Sequence, residues 1–139
     1  MDIRYYTNNP ISAPELVKLY GQLGWTSYTD HPDKMAKILQ GSLWHMSAYD
    51  GSKLIGLIRV VGDGCSIIYV QDILVLEAYQ RKGIGRKLME SMLQEFHDIR
   101  QIVLITGDSE KTRSFYESVG MHLVAKTGGL CYVRYNTKA

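Results

Sequence analysis

"ILVLEAYQRKGIGRKLMESML" runs from Ile73 to Leu93, and its reading decides the fold. An apolar run stops, a polar turn follows, and a helix begins on two glycines among basic residues. The helix itself is plain. Leu88, Met89, Met92, Leu93 and Phe96 recur at i, i+1, i+4, i+5 and i+8, which makes one apolar stripe. Glycine in a helix interior costs roughly 1 kcal/mol, so Gly83 and Gly85 need a reason.

An anion supplies one. Free N–H groups at a helix N-terminus bind anions with help from the helix dipole. A Cβ at the closest positions would hold the backbone off a phosphate. Arg81, Lys82, Arg86 and Lys87 add positive charge where acidic residues normally favour a first turn. A polyanion resting there reconciles the two. A tight strand-to-helix turn with solvated charges accounts for the same residues. The spacing is not G-x-x-x-x-G-K-[ST], which excludes a P-loop. The third glycine of a dinucleotide fingerprint is missing, and the preceding strand is not the first of a βαβ unit.

The rest of the chain places this turn late in one α/β domain. "DIRYYT" alternates as a strand, and "PELVKLYGQL" puts Leu16, Leu19, Tyr20 and Leu23 at helical spacing. "GWTSYTDHPD" (Gly24–Asp33) reads as a polar, aromatic loop, and "DKMAKILQ" as a short helix. "LWHMSAYD", the turn "DGSK" and "LIGLIRVV" form a hairpin. "CSIIYVQDILVL" (Cys65–Leu76) is apolar almost throughout, as a strand buried on both faces would be. After the Gly83 helix come a buried strand, "QIVLIT", and a helix, "SEKTRSFYESV", stopped by Gly120. "HLVAK" and "LCYVRYN" are expected to close the chain as two strands. The order is β-αα-βββ-α-β-α-ββ, one domain over residues 1–139.

Composition narrows the function. The chain has 139 residues, 45% hydrophobic and 22% charged, with net charge +2. That charge is too small to suggest a nucleic-acid partner. Two cysteines, Cys65 and Cys131, are too few for a disulfide scaffold. The start "MDIRYYTNNP" lacks the apolar core of a signal peptide, and no apolar run reaches the ~18 residues of a membrane span. The expectation is a cytoplasmic protein without membrane contact and with reduced thiols. His31, His45, His97 and His122 show no ligand spacing, so no metal is expected.

The pattern Gln80-x-x-Gly83-x-Gly85, between a central strand and an amphipathic helix, resembles the acyl-CoA-binding motif Q/R-x-x-G-x-G/A of the GNAT superfamily of N-acetyltransferases. "RSFYESVGM" (Arg113–Met121) resembles that superfamily's second motif, and the element order is similar to its fold. The resemblance implies a central mixed, mostly antiparallel sheet flanked by helices. It implies acetyl-CoA as acyl donor and direct transfer of its acetyl group to a primary amine in a ternary complex. Backbone N–H groups of Arg81, Lys82, Gly83, Ile84, Gly85 and Arg86 would hold the pyrophosphate, with the motif residue Gln80 also counted as cofactor-binding. The main chain at Leu74, Val75 and Leu76 would pair with pantetheine, with Thr106 and Gly107 across the slot. Tyr116 matches the tyrosine that protonates the departing thiolate, although it also lies on its own helix's apolar stripe. The pattern departs at Ser109, where many members carry asparagine. Ser109 is expected to contact the cofactor or to cap the helix.

An amine acceptor with a pKa of ~10 must lose a proton before it attacks. Asp72 is the acid inside the apolar strand, a candidate base or substrate-orienting group, or a structural acid bonded to a loop or to Arg59. Trp25, Tyr28 and Tyr69 are candidates for one side of the acceptor pocket, and Cys131 with Tyr132 for the other. Cation–π contact with these aromatics would suit an amine, and loop packing would use them equally. The stretch "IYVQDILVLEAYQRKGIG" also resembles arylalkylamine-like and plastid-type members of the superfamily, and that resemblance implies a small amine as acceptor, with a peptide or protein amine as the alternative. A non-catalytic acyl-CoA sensor would keep the glycine turn but need neither Asp72 nor Tyr116. The resemblance also implies the closing strands as candidates for a homodimer contact.

Overall fold

The computed structural model describes residues 2–136. They fall into two compact units that divide between Ile105 and Thr106.

The first unit holds a five-stranded sheet in the order β1-β2-β3-β4-β5: β1 (Ile3–Thr7), β2 (Trp44–Asp50), β3 (Lys53–Gly62), β4 (Ile67–Val75) and β5 (Gln101–Leu104). The first four are antiparallel neighbours, and β5 joins β4 in parallel. Between β1 and β2 lie α1 (Ala13–Gln22), the single-turn α2 (Thr26–Thr29) and α3 (Pro32–Ile38). The stretch expected to be a loop thus contains a helical turn at α2. Ser12 starts α1 with a capping box: its hydroxyl accepts from Glu15 N while Glu15 reaches back to Ser12 N at 3.1 Å. A 3₁₀ turn (Glu77–Tyr79) then leads to α4 (Ile84–Glu95), whose Ile84, Leu88, Met89 and Met92 are buried.

Sheet register assigns the faces. Trp44 pairs with Val60, and its ring meets Phe96, just beyond α4, edge-on at 5.7 Å. The Val60 face therefore belongs to α4. Gly56 lets α4 come close: a Cβ there would lie 3.6 Å from Leu88 Cδ1 and 3.3 Å from Leu74 O. The other face takes α1 and α2 through Tyr20 and Tyr28.

A bulge in β4 controls which face Asp72 occupies. Val60 pairs with Val70, but its neighbour Arg59 pairs with Asp72, so Gln71 is an extra residue. Neighbours on β3 point to opposite faces. Val70 and Asp72 therefore stand on opposite faces although they are two residues apart.

The second unit contains α5 (Glu110–Ser118) and a 3₁₀ turn (Val124–Thr127). Ser109 caps α5 by accepting from Thr112 N at 3.1 Å, and Arg113 makes a two-pronged contact with Asp108 at 2.8 and 3.1 Å. Gly120, in the left-handed region at φ 91°, ends the helix as expected. The two closing strands are a correction. Of "HLVAK", Val124, Ala125 and Lys126 lie in the 3₁₀ turn and His122 and Leu123 in no element, and residues 129–136 form neither strand nor helix. Their β-favouring side chains find no neighbouring ladder, and a strand exists only when paired.

Candidate active site

The glycine turn sits at the C-terminal end of β4. Gly83 is the N-cap of α4 in the left-handed region (φ 83°), and space is open where a Cβ would stand, with nothing within 4 Å. No side chain caps this helix, and its first turn holds no acidic residue. Lys87 N donates to Gly83 O at 3.0 Å, which leaves the earlier N–H groups outside the helical ladder. Arg81 is also left-handed (φ 61°), a conformation that costs a side-chain-bearing residue roughly 1–2 kcal/mol. Strain of this kind gathers where backbone must be aimed at something. Arg81, Lys82, Arg86 and Lys87 are exposed around it. Arg86 pairs with Glu90 at 3.3 Å, and Lys87 Nζ lies 5.8 Å from the Tyr5 ring centre. A groove of about 680 Å³ begins here and runs along the α4 face past Thr7, Trp44 and Met46, on the opposite side of the sheet from Asp72.

Beside the turn, β4 outruns β5. The two pair only across Ile67–Val70, so Gln71–Val75 extend without that neighbour. Leu76 N donates to Ile55 O at 2.9 Å. Main-chain groups alternate sides along a strand, so Leu74 also faces β3. Ile73 and Val75 turn their N–H and C=O groups the other way. The Val75 carbonyl accepts from Gln80 Nε2 at 2.9 Å, which ties the motif glutamine to the end of the strand.

Asp72 is buried, at 3% exposure, and sits among donors. Its Oδ2 accepts from Arg59 Nε at 2.5 Å and from the Tyr20 hydroxyl at 2.8 Å; its Oδ1 accepts from the Tyr28 hydroxyl at 2.7 Å. Arg59 Nη2 and Gln71 Nε2 each donate to the Tyr28 oxygen at 3.2 Å, and Arg59 Nη1 reaches Ser42 Oγ at 3.3 Å. Burial pulls the Arg59 guanidinium down, but the Asp72 carboxylate with Tyr20 and Tyr28 outweighs it, and the net shift is upward. Burial first, then the charge of Asp72, pushes both Tyr20 and Tyr28 up. These phenols stay protonated and act as donors. Three aromatic rings close around the acid: Tyr20 and Tyr28 lie 4.8 Å apart, Tyr20 and Trp25 5.6 Å, and Trp25 stacks on Tyr28 at 6.1 Å. Tyr69, paired with Val61, falls on the same face as Asp72.

The structure thus brings Asp72, Trp25, Tyr28 and Tyr69 to one side of the sheet. Tyr20 and Gln71 belong with them and escape sequence reasoning. Tyr20 reads as an ordinary member of the α1 stripe, because periodicity sees its ring and not its hydroxyl.

In the second unit, Tyr116 is half-buried on α5 with its ring against Phe115 at 5.0 Å. Burial raises its pKa, and a hydrogen bond with the Thr106 side chain partly opposes this. It therefore holds its proton at neutral pH. Ser109 is committed as the α5 cap, and Cys131 is exposed. Among the described residues, no three His, Cys, Asp or Glu groups converge as for a metal, and no helix is long and apolar enough to cross a membrane.

Comparison with known proteins bears directly on this geometry. A family model described as an acetyltransferase (GNAT) domain matches residues 26–134. The chain belongs to the GNAT acetyltransferase family. It is similar to a GNAT-family acetyltransferase of Streptococcus pneumoniae TIGR4, at 34% identity and a TM-score of 0.87, covering 99% of this chain and 100% of that one. An uncharacterized ycf52-like N-acetyltransferase of Prochlorococcus marinus is 29% identical over 87% of this chain and 68% of its own length. A Gibberella zeae protein named as an acetyltransferase is 31% identical over 48% of this chain, and the match spans 38% of that protein. The aminoglycoside N-acetyltransferase AAC(6')-Iy, solved with CoA, shares the GNAT fold at 16% identity and a TM-score of 0.71.

Proposed function

We propose that this GNAT acetyltransferase is a single catalytic domain over residues 1–139 that transfers the acetyl group of acetyl-CoA to a primary amine. The observation that carries the reading is the α4 turn: an uncapped helix start, open space over Gly83, a strained Arg81 and four basic side chains at the end of a strand that outruns its neighbour. This arrangement suits a pyrophosphate followed by an amide-bearing arm. The solved aminoglycoside acetyltransferase with CoA supports the choice of donor.

Acetyl-CoA supplies an activated thioester carbonyl. The N–H groups of Ile84, Gly85 and Arg86 and the charges of Arg81 and Lys82 bind the diphosphate. Ile73 and Val75, whose main chains face away from β3, serve the pantetheine amides; this keeps Val75 of the expected Leu74, Val75 and Leu76 and replaces the other two with Ile73. Gln80 fixes the end of that strand by holding the Val75 carbonyl. Tyr116, protonated and oriented by Thr106, donates its proton to the departing sulfur.

Asp72 is proposed as a substrate-orienting acid rather than an unaided base. A carboxylate offers about four lone-pair sites, and three are engaged by Arg59, Tyr20 and Tyr28. The remaining capacity is on Oδ1, beside the Tyr28 hydroxyl. Trp25, Tyr28 and Tyr69 form an aromatic wall for a cationic amine. A small amine suits this wall better than a peptide, which needs an extended groove.

The test measures thiol release from acetyl-CoA across a panel of small amines and peptides. Turnover with an amine is expected, and Tyr116→Phe should lower kcat by about 10²-fold, within the usual range for a positioned acid, with little change in KM for acetyl-CoA. Tight CoA binding without turnover on any acceptor would remove the catalytic half of the reading. Absence of CoA binding would remove it all.

A further inference from the structure

The turn between β4 and α4 holds a costly shape before any anion arrives. Arg81 is left-handed at φ 61°, and Arg81, Lys82, Arg86 and Lys87 crowd positive charge around a helix start that no side chain caps. Like charges repel, and backbone strain persists only where its surroundings over-determine it. The buried Ile84 anchors the α4 side of the turn. The β4 side needs an anchor as well.

The 3₁₀ turn Glu77–Tyr79 supplies it, fastened in two ways. The first is main chain: Leu76 N donates to Ile55 O at 2.9 Å, and Tyr79 N closes the turn on Leu76 O at 2.8 Å. The second is a side chain. Glu77 and Ala78 are exposed, but Tyr79 reaches back, and its hydroxyl donates to Asp50 Oδ2 at 2.6 Å. Lys53 Nζ lies over the same ring, 5.8 Å from its centre. Asp50 closes β2, Lys53 opens β3, and the two residues between them set the pair directly opposite each other. Opposite residues share a face, so one hairpin tip grips one tyrosine from both of its strands. The hydrogen bond to the Asp50 carboxylate raises the Tyr79 phenol, which stays a donor at neutral pH. Gln80, which holds the Val75 carbonyl, follows immediately, and then the strained Arg81.

We propose that Tyr79 is a positioning residue: clasped by Asp50 and Lys53, it pre-sets the turn over Gln80–Gly83 for the diphosphate of acetyl-CoA. The inference rests on the donor reading given above. It acts through Gln80 and Arg81 and not by contact with CoA. A turn ordered in advance does not have to be ordered by its ligand, and affinity gains by that difference.

Calorimetry with CoA and steady-state kinetics with acetyl-CoA read the effect. Tyr79→Phe removes the hydroxyl and keeps the ring. Kd for CoA and KM for acetyl-CoA should rise about fivefold, the worth of one net hydrogen bond, while kcat at saturating acetyl-CoA holds. Asp50→Ala should give a similar rise, and the double variant Tyr79→Phe/Asp50→Ala no more than the larger single effect, since both cut one contact. Asp50→Asn keeps a side-chain oxygen for the hydroxyl and should retain most of the affinity. In the free protein, the Tyr79 and Gln80 amides, bonded to Leu76 O and Glu77 O, should exchange hydrogen faster in Tyr79→Phe while the amides of β3 and β4 do not change. That pattern separates a loosened turn from a destabilised domain. A Tyr79→Phe variant that binds CoA as tightly as wild type overturns the inference and leaves the donor reading standing. Weaker binding with unchanged exchange overturns it too, since that would mean direct contact, and so does a loss of kcat at unchanged KM. A wild type that binds no CoA removes the donor reading and this inference with it.

Discussion

Arg59→Met should be among the most damaging single substitutions in the first unit. The Arg59 and Asp72 side chains are only 8% and 2% exposed, and Nε meets Oδ2 at 2.5 Å. At an effective dielectric near 20 that separation gives a gross attraction of about 6–7 kcal/mol. Removing two ions from water costs several kcal/mol each, so the intact pair contributes little net stability. Deleting one partner is different. Asp72 stays buried with only the Tyr20 and Tyr28 hydroxyls to hold its charge, and breaking a buried pair this way costs about 3–5 kcal/mol. Urea unfolding followed by circular dichroism measures the loss, and the midpoint of thermal unfolding should fall by about 10 °C or more. The double variant Arg59→Met/Asp72→Leu removes both charges and should recover much of the loss, leaving chiefly the two orphaned phenols. A single-variant cost below about 1 kcal/mol, or a double variant whose cost equals the sum of the singles, would refute the claim that the charges are coupled and desolvated.

Two further outcomes follow from the same geometry. Gly83→Ala places a Cβ at φ 83°, a conformation that costs a side-chain-bearing residue about 1–2 kcal/mol, and projects it into the open space over the turn; calorimetry should show CoA affinity falling at least about tenfold, more than the change in stability explains. His45 is buried, Nε2–H donates to the Asn9 carbonyl at 2.9 Å, and burial lowers its pKa despite that bond. Its folded pKa lies below the unfolded value of ~6.5, so the unfolded chain takes the proton first on acidification. Stability should hold above about pH 6.5 and decline below it, and His45→Gln should flatten that slope in denaturation series read from pH 8 to 5.

The Gly83 helix was legible because two independent signals coincide there: a 3.6-residue apolar stripe, and glycines where the stripe alone would not place them. The α/β order followed from similar signals up to α5. Asp72 was legible as an acid out of place, but its partners were not. Arg59 is thirteen positions away and reaches Asp72 only because the hairpin register, displaced by Gln71, puts them opposite each other. The main-chain groups that face away from β3 belong to Ile73 and Val75 and not to Leu74 and Leu76, which composition does not reveal because it does not say which way a peptide group faces. The expected closing strands failed on a different ground. Alternation in "LCYVRY" reports a preference for pairing, and pairing depends on an edge that the segment itself does not contain.

The bulge in β4 also bears on how this sheet can diverge. Point substitutions change what stands at position 72, but the side on which it stands depends on whether the bulge forms. Closing the bulge at constant length, with Val70 still opposite Val60, would set Gln71 opposite Arg59 and Asp72 opposite Ile58, and so turn the carboxylate towards the methionines and leucines of α4. Losing Gln71 outright would keep the acid opposite Arg59 but remove the donor that Gln71 offers the Tyr28 hydroxyl. Variation that keeps the bulge is therefore free to retune the aromatic wall around the acid, whereas a change that irons it out at constant length carries the acid to the other side of the sheet in a single step.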